Sequence, residues 1–348
     1  MKADTMNYNI SSAIVSTTCI DYSESDCTDC FHVTWGVDEN YQFGVAISAT
    51  SLLIHNQHIR FCFHIFLDTV SDHYFEKMRQ LAKSFNIRIV IYTVSPEIFS
   101  KLPCTRIWSY AMYFRLLGFE YLSRSCPKVL YLDADVVCKE SIDELHQLEF
   151  GNKVAAVVKD ISSTQSKSIK KLGMEHLVDL EYFNSGVMYV DLEKWRYGDF
   201  TNKVLDLLFD PNIGGKVKYP DQDALNIIMN GKLIYLSGRY NKIYSLKNEL
   251  SDKGHSLYLN TIKKDTVFIH YTGITKPWHK WADYPSAGYF YTVYKQSPWC
   301  NDTLKSACTL PEKQKKYKHE INQGHYLDGI ISCVDYNIKK FFFRWSKK

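Results

Sequence analysis

The 348-residue sequence has no apolar run near the ~20 residues a membrane-spanning helix needs. It has no G-x-G-x-x-G after its first strand-like segment, which argues against a dinucleotide-binding Rossmann domain. G-x-x-x-x-G-K-[ST] is also missing, so it is not a P-loop enzyme. The N-terminus offers only Ile14-Val15 before a polar stretch, too little for a signal peptide. Ten cysteines are irregularly spaced, and Cys27-Thr28-Asp29-Cys30 is a lone C-x-x-C without the second pair that would argue for zinc. Cys62, Cys126 and Cys138 lie in or beside apolar runs, as small buried hydrophobes do. Together these absences suggest a cytosolic, reduced chain.

With 45% hydrophobic and 23% charged residues, the sequence can bury a sizeable core. Net charge is +4, but Lys313 to Lys348 alone carries +6, leaving the first 312 residues at about −2. A nucleic-acid binder would not concentrate its charge in a tail this way, so no nucleic-acid partner is expected. Residues 1–30 are polar, without clear period, and read as an irregular arm. Strand patterns at Phe31–Trp35, Arg60–Leu67 and Ile87–Val94 alternate with helical patterns at Tyr41–Asn56 and Asp72–Phe85. That alternation implies parallel βαβ units, with active residues at the carboxyl ends of the strands.

Asp133 and Asp135 close the run Lys128-Val129-Leu130-Tyr131-Leu132-Asp133-Ala134-Asp135. If the strand continues through them, residues i and i+2 share a face and the carboxylates emerge together. Like charges that close repel, and a hard cation between them relieves the repulsion. A chance pair at a strand-end turn is the plainer alternative. Four further segments carry candidate chemistry, each with a plain structural alternative. Gly36-Val37-Asp38-Glu39-Asn40-Tyr41 could face a base or ribose, or simply cap the next helix. Asn184-Ser185-Gly186 opens a buried strand where a ligand could approach the backbone, or makes a tight turn. Pro220-Asp221-Gln222-Asp223 starts a helix and could present a carboxylate and an amide to hydroxyls. In His270-Tyr271-Thr272-Gly273-Ile274-Thr275-Lys276, a strand-end histidine is followed by a turn glycine and a cation suited to phosphate.

In order and approximate spacing, these motifs resemble glycosyltransferase family 8, in particular the bacterial lipopolysaccharide core glucosyl- and galactosyltransferases. The resemblance covers roughly residues 31–285, with a weaker match in the tail. It implies an α/β fold of the GT-A type, a nucleotide-sugar-binding domain on a mostly parallel sheet, with a small helical basic and aromatic C-terminal extension at 286–348. It implies Asp133, Asp135 and His270 as ligands of Mn2+, with Mg2+ as the alternative, and UDP-glucose or UDP-galactose as donor. Gly36, Asp38, Asn40 and Tyr41 would face uridine. Arg115 would sit near the sugar and phosphates, and Ala134 lies between the two aspartates in the donor site. Asn184, Asp221 and Gln222 would surround the hexose, and Gly273 with Lys276 would clamp the diphosphate. The family retains anomeric configuration, and the residue nearest the expected nucleophile position is Gln222, a poor nucleophile, which favours front-face attack with Asp221 as the alternative. The acceptor would be the lipopolysaccharide outer core, at the cytoplasmic face of the inner membrane. The alternatives are another glycan or protein-linked acceptor, or a non-catalytic nucleotide-sugar or membrane-binding module.

Asn337–Lys348, Asn-Ile-Lys-Lys-Phe-Phe-Phe-Arg-Trp-Ser-Lys-Lys, interleaves rings with cations. That pattern suits a helix lying peripherally on an anionic membrane surface. The plainer alternative is a packed terminal helix with a frayed end.

Overall fold

The computed structural model describes residues 8–24, 29–104, 109–173, 181–210, 213 and 217–345. Cys27 and Thr28 of the C-x-x-C, and Ser346 to Lys348 of the tail, lie outside them.

The main sheet has eight strands in the order β1-β4-β3-β2-β5-β8-β7-β9. Its parallel centre is β4 (Arg88–Val94), β3 (Phe61–Leu67), β2 (Phe31–Val37) and β5 (Lys128–Leu132). Helices Gln42–His55 and Asp72–Phe85 make the crossovers between β2, β3 and β4, as the alternating periods predict. Ser71 caps the second of these by accepting from Tyr74 N–H at 3.2 Å, and Asn86 ends it in the left-handed region. Every residue of β3 is buried, which is why Phe-Cys-Phe-His-Ile-Phe-Leu reads as one apolar run and not as an alternation.

Beyond β5 the sheet changes direction. β8 (Phe183–Asp191) pairs antiparallel with both β5 and β7 (Ala155–Lys159), and β9 (Leu233–Tyr235) pairs parallel with β7. A second sheet holds β10 (Lys242–Tyr244), β11 (Phe268–Tyr271) and β6 (Val136–Cys138). In it β11 runs antiparallel to β6 with His270 opposite Val136. This pairing carries a histidine from late in the chain to the two aspartates.

The first 30 residues are not an irregular arm throughout. Ile14–Asp21 forms β1, antiparallel to β4 at the sheet edge. Its β-branched residues suit a strand, but most of its side chains are exposed, so no alternation marks it in the sequence.

The C-terminal region is helical, with Leu310–Asn322 and Tyr326–Trp345 packed against each other. Buried His319 ties the first of these helices to the rest of the protein. Its Nδ1 lies 2.8 Å from the Tyr284 hydroxyl and its Nε2 3.1 Å from Thr275 Oγ1. Burial, with the nearby Lys315, pushes its pKa down to about 4. The unfolded chain, with a histidine pKa of about 6.5, therefore takes up this proton first as pH falls. The stabilisation is complete above the unfolded value and is lost as pH drops toward the folded one, about 2 kcal/mol of it by pH 5. We expect the melting temperature to fall between pH 7 and pH 5, and to fall less in His319→Gln. Equal falls in the two proteins would remove His319 from the acid response.

Candidate active site

Asp133 and Asp135 do not converge by strand alternation. β5 ends at Leu132, and the aspartates occupy the turn between β5 and β6, closed by Val136 N–H donating to Asp133 C=O at 3.1 Å. The turn is held from both sides. Asp133 N–H donates to the Gly186 carbonyl at 2.8 Å, and Tyr271 N–H donates to the Asp135 carbonyl at 2.9 Å. Ala134 is buried between them, its carbonyl so close to Gly44 that a Cβ there would approach within 2.6 Å.

His270 Nε2 lies 3.1 Å from Asp135 Oδ1 and 3.7 Å from Asp133 Oδ2. Its Nδ1 sits 3.0 Å from Asn241 Oδ1, which suits a proton on Nδ1 and a lone pair on Nε2 when the ring is neutral. One ligand atom from each of the three residues falls within 4.8 Å of the others. Gly186 makes the approach possible, since a Cβ there would come within 2.2 Å of His270 Cε1 and 2.8 Å of Asp133 Oδ2. The small residue in Asn184-Ser185-Gly186 thus makes room for the donor atoms themselves. Two carboxylates and an imidazole in a space kept open by glycine fit a divalent cation.

The surrounding groups balance the negative charge. Buried Lys276 donates to Asp135 Oδ2 and, at 3.0 Å, to the Tyr271 carbonyl. Burial disfavours the Asp135 charge, but Lys276 and His270 outweigh it and hold the carboxyl well below its ordinary range. Burial likewise lowers His270, and Asp135 and Asp133 more than compensate, so its pKa is raised. Lys276 is thus the counter-ion of Asp135, a contact its place in the sequence does not reveal.

Arg115 is buried beneath the pair. It reaches Asp133 Oδ1 at 2.9 Å, Asp221 Oδ2 at 3.1 Å and the Ser185 carbonyl at 2.7 Å, with its guanidinium 4.3 Å over the Tyr131 ring. Tyr131 hydroxyl donates to Asp133 Oδ1 at 2.8 Å. Gln222 is fixed at both ends of its amide. Oε1 accepts from Ser185 N–H at 3.0 Å and Asn184 Nδ2 at 3.2 Å, while Nε2 donates to Asp160 Oδ2 at 3.0 Å and the Tyr182 hydroxyl at 3.1 Å. Asp223, in the first turn of helix Pro220–Ile228, accepts from Lys218 and Tyr219 N–H at 2.7 and 3.0 Å and so ties down the chain leading into it.

Asp133, Asp135, Asn184, Asp221, Gln222, His270, Arg115 and Lys276 therefore form one connected network. The β2 group stands beside it. Asp38 closes an Asx-type turn, accepting from Asn40 N–H at 3.0 Å, and takes a second bond from the Ser109 hydroxyl at 2.7 Å. Tyr41 meets Trp278 edge-on at 5.9 Å. Gly36 is needed for packing, since a Cβ would lie 2.6 Å from Phe114 Cβ. Gly273 turns at φ +97° after β11. Sequence reading missed Asp160 and Asn241, while Tyr182 and Ser185 fell in the segment it singled out around Asn184 without roles of their own. Asp160 had a usable signal, because it follows β7 as Asp133 follows β5.

The family model for glycosyl transferase family 8 matches residues 32–282, and the family 8 C-terminal model matches 284–340. The chain is 44% identical over 315 residues to a lipopolysaccharide 1,2-glucosyltransferase of Escherichia coli K12, covering 90% of this chain and 92% of that one. It is 35% identical over 321 residues to a lipopolysaccharide 1,3-galactosyltransferase of Salmonella typhimurium, covering 92% and 94% respectively. Among solved structures, the galactosyltransferase LgtC, crystallised with donor and acceptor sugar analogues, superposes with a TM-score of 0.65 at 24% identity. That match spans 77% of this chain and 96% of LgtC, and shows the shared GT-A fold. The chain belongs to glycosyl transferase family 8 and is a glycosyltransferase.

Proposed function

We propose that this enzyme transfers glucose or galactose from a UDP-sugar, with retention and with Mn2+ as cofactor, to the outer core of lipopolysaccharide. The observation that carries this reading is the Asp133, Asp135 and His270 cluster, complete with Arg115 and Lys276, in a chain 44% identical to a lipopolysaccharide glucosyltransferase. A Mn2+ ion held by those three residues would neutralise charge on the diphosphate as UDP departs. Lys276 and the Gly273 N–H would orient the phosphates, Asp38, Asn40 and Tyr41 at the end of β2 would take the uridine, and Asn184 with Asp221 would face the hexose. Gln222 already uses both amide atoms, and Asp221 is bound by Arg115. Neither is poised to form a covalent glycosyl intermediate. Attack then comes from the acceptor hydroxyl on the same face as the departing UDP, with its proton passing to a β-phosphate oxygen. The test is incubation with a panel of UDP-sugars, Mn2+ and truncated core acceptors, with products read by mass. One hexose added from UDP-glucose or UDP-galactose is expected, and no transfer from any donor would overturn the reading.

We further propose that the C-terminal helices hold the enzyme on the anionic cytoplasmic face of the inner membrane. Among the described residues no helix is long and apolar enough to cross a membrane. The last helix, however, buries Gly329, Ser332 and Tyr336 while exposing Leu327, Ile331, Phe341, Phe342 and Trp345. Its outward face is the apolar one, and it begins at Tyr326, so the ring-and-cation segment from Asn337 to Trp345 is the end of a longer helix. Rings enter the acyl boundary, and each Lys or Arg near an anionic surface adds ~1 kcal/mol. Removing residues 337–348 should leave transfer to a small soluble acceptor intact and reduce co-sedimentation with anionic vesicles, most clearly at low salt. Equal pelleting of full-length and truncated protein would remove the tail from membrane binding.

A further inference from the structure

A second cluster of ligand-type side chains lies toward the amino ends of the parallel strands, opposite the aspartates. His32 on β2 and His64 on β3 stack with centroids 5.3 Å apart, and Cys126 stands in the turn before β5. His32 Nδ1 is 3.0 Å from His64 Nε2 and 3.5 Å from Cys126 Sγ. All three ligand atoms fall within 4.8 Å of one another. Zinc bonds of roughly 2.05 Å to nitrogen and 2.3 Å to sulfur, at tetrahedral angles, separate N from N by roughly 3.3 Å and N from S by roughly 3.5 Å. The two spacings are close to those of one zinc coordination shell.

We propose that His32, His64 and Cys126 bind a zinc-class divalent ion that ties β2, β3 and the turn before β5 together. Three further features support this. First, burial, reinforced by Arg88, pushes His32 down to about 4. Burial also pushes His64 down to about 3, so both rings offer lone pairs at neutral pH. Second, His64 Nδ1 lies 3.1 Å from the Tyr92 hydroxyl, the outer contact that orients a ligating imidazole. Arg88 is paired with Asp21, Nε 2.8 Å from Oδ2, and still disfavours positive charge at both histidines, a cost the Cys126 thiolate would offset on binding. Third, His32 is half-buried and lines an open cavity of about 540 Å³, which gives an ion a path in. On binding, the Cys126 thiol gives its proton to solvent as the metal–sulfur bond forms. The site differs in kind from the Asp133 cluster, because thiolate and imidazole select a softer ion than carboxylates do.

Co2+ is the probe, because only a thiolate ligand gives a sulfur-to-cobalt charge-transfer band in the near ultraviolet. The protein should carry Asp135→Asn, which weakens the oxygen-rich site. One equivalent of Co2+ should produce the band, and Zn2+ should displace it. Cys126→Ser should abolish the band. Tyr92→Phe should keep it and weaken the affinity ~10-fold, as loss of an outer partner does. A folded parent protein without the band, or a band undiminished in Cys126→Ser, overturns the proposal. Should Cys126→Ser fail to fold, X-ray absorption of the one-zinc parent decides. One sulfur with two imidazoles supports the site, and a shell without sulfur overturns it.

Discussion

Replacing Asp135 with alanine should lower turnover at least ~100-fold, in line with the several kcal/mol a Lewis-acid metal contributes. EDTA should reproduce the loss in the wild type, and added Mn2+ should reverse it. A second effect follows from Lys276, which donates to Asp135 from a buried position. Among the described residues, alanine leaves that ammonium one hydrogen bond, to the Tyr271 carbonyl, and breaking a buried pair costs about 3–5 kcal/mol. Asp135→Ala should therefore melt well below the wild type. Asp135→Asn keeps an oxygen for Lys276 and should recover much of the stability without recovering turnover. Comparing the two variants separates a structural ion pair from a metal ligand. Full activity of the wild type in EDTA would remove the metal assignment for Asp133, Asp135 and His270 together. Lys276→Ala should slow transfer and also destabilise, and wild-type kcat and KM in that variant would place the diphosphate clamp elsewhere.

The legibility of this site follows from where each residue gets its partner. Asp133, Asp135, His270 and Asp221 stand at ends of strands or helices, where apolar runs stop and turn chemistry is local, so the sequence marks them. The five elements from β2 to β4 were readable locally too, the strands as short apolar or β-branched runs and the helices by their spacing and caps. Residues whose role comes from a distant partner carry no such mark. Asn241 matters because its Oδ1 meets His270 Nδ1 and its Nδ2 donates to Asn184 at 2.9 Å. Nothing around Asn241 itself announces either contact. Cys126 read as a small hydrophobe, and only the pairing of β2 with β3 brings two histidines to it. β1 was missed because an exposed edge strand shows no burial pattern. The Asp133 and Asp135 carboxylates were expected to converge by strand alternation, and a turn after Leu132 brings them together instead.

Arg115→Met should be among the most damaging single changes in the protein, although this side chain is a buried arginine beneath the site. The guanidinium joins Asp133, Asp221, the Ser185 carbonyl and the Met112 carbonyl, and covers Tyr131. Methionine fills similar volume and supplies none of the donors. Asp221 is then buried without its cation, and burial, together with Asp133, already pushes its pKa up. An uncompensated buried charge costs about 3–5 kcal/mol, and unsatisfied carbonyls add to that. The expected result is a large fall in melting temperature, with transfer lost even in the fraction that stays folded, because Asp133 loses one of the bonds that orient it. Asp221→Asn alone should cost less, since Arg115 keeps Asp133. Adding Asp221→Asn to Arg115→Met should return part of the lost stability, because the orphaned carboxylate is gone. That recovery, measured by thermal melts of the four proteins in the cycle, tests the ion pair directly. If the two changes simply add, Asp221 and Arg115 do not depend on each other, and the charge balance beneath the site rests on Asp133 alone.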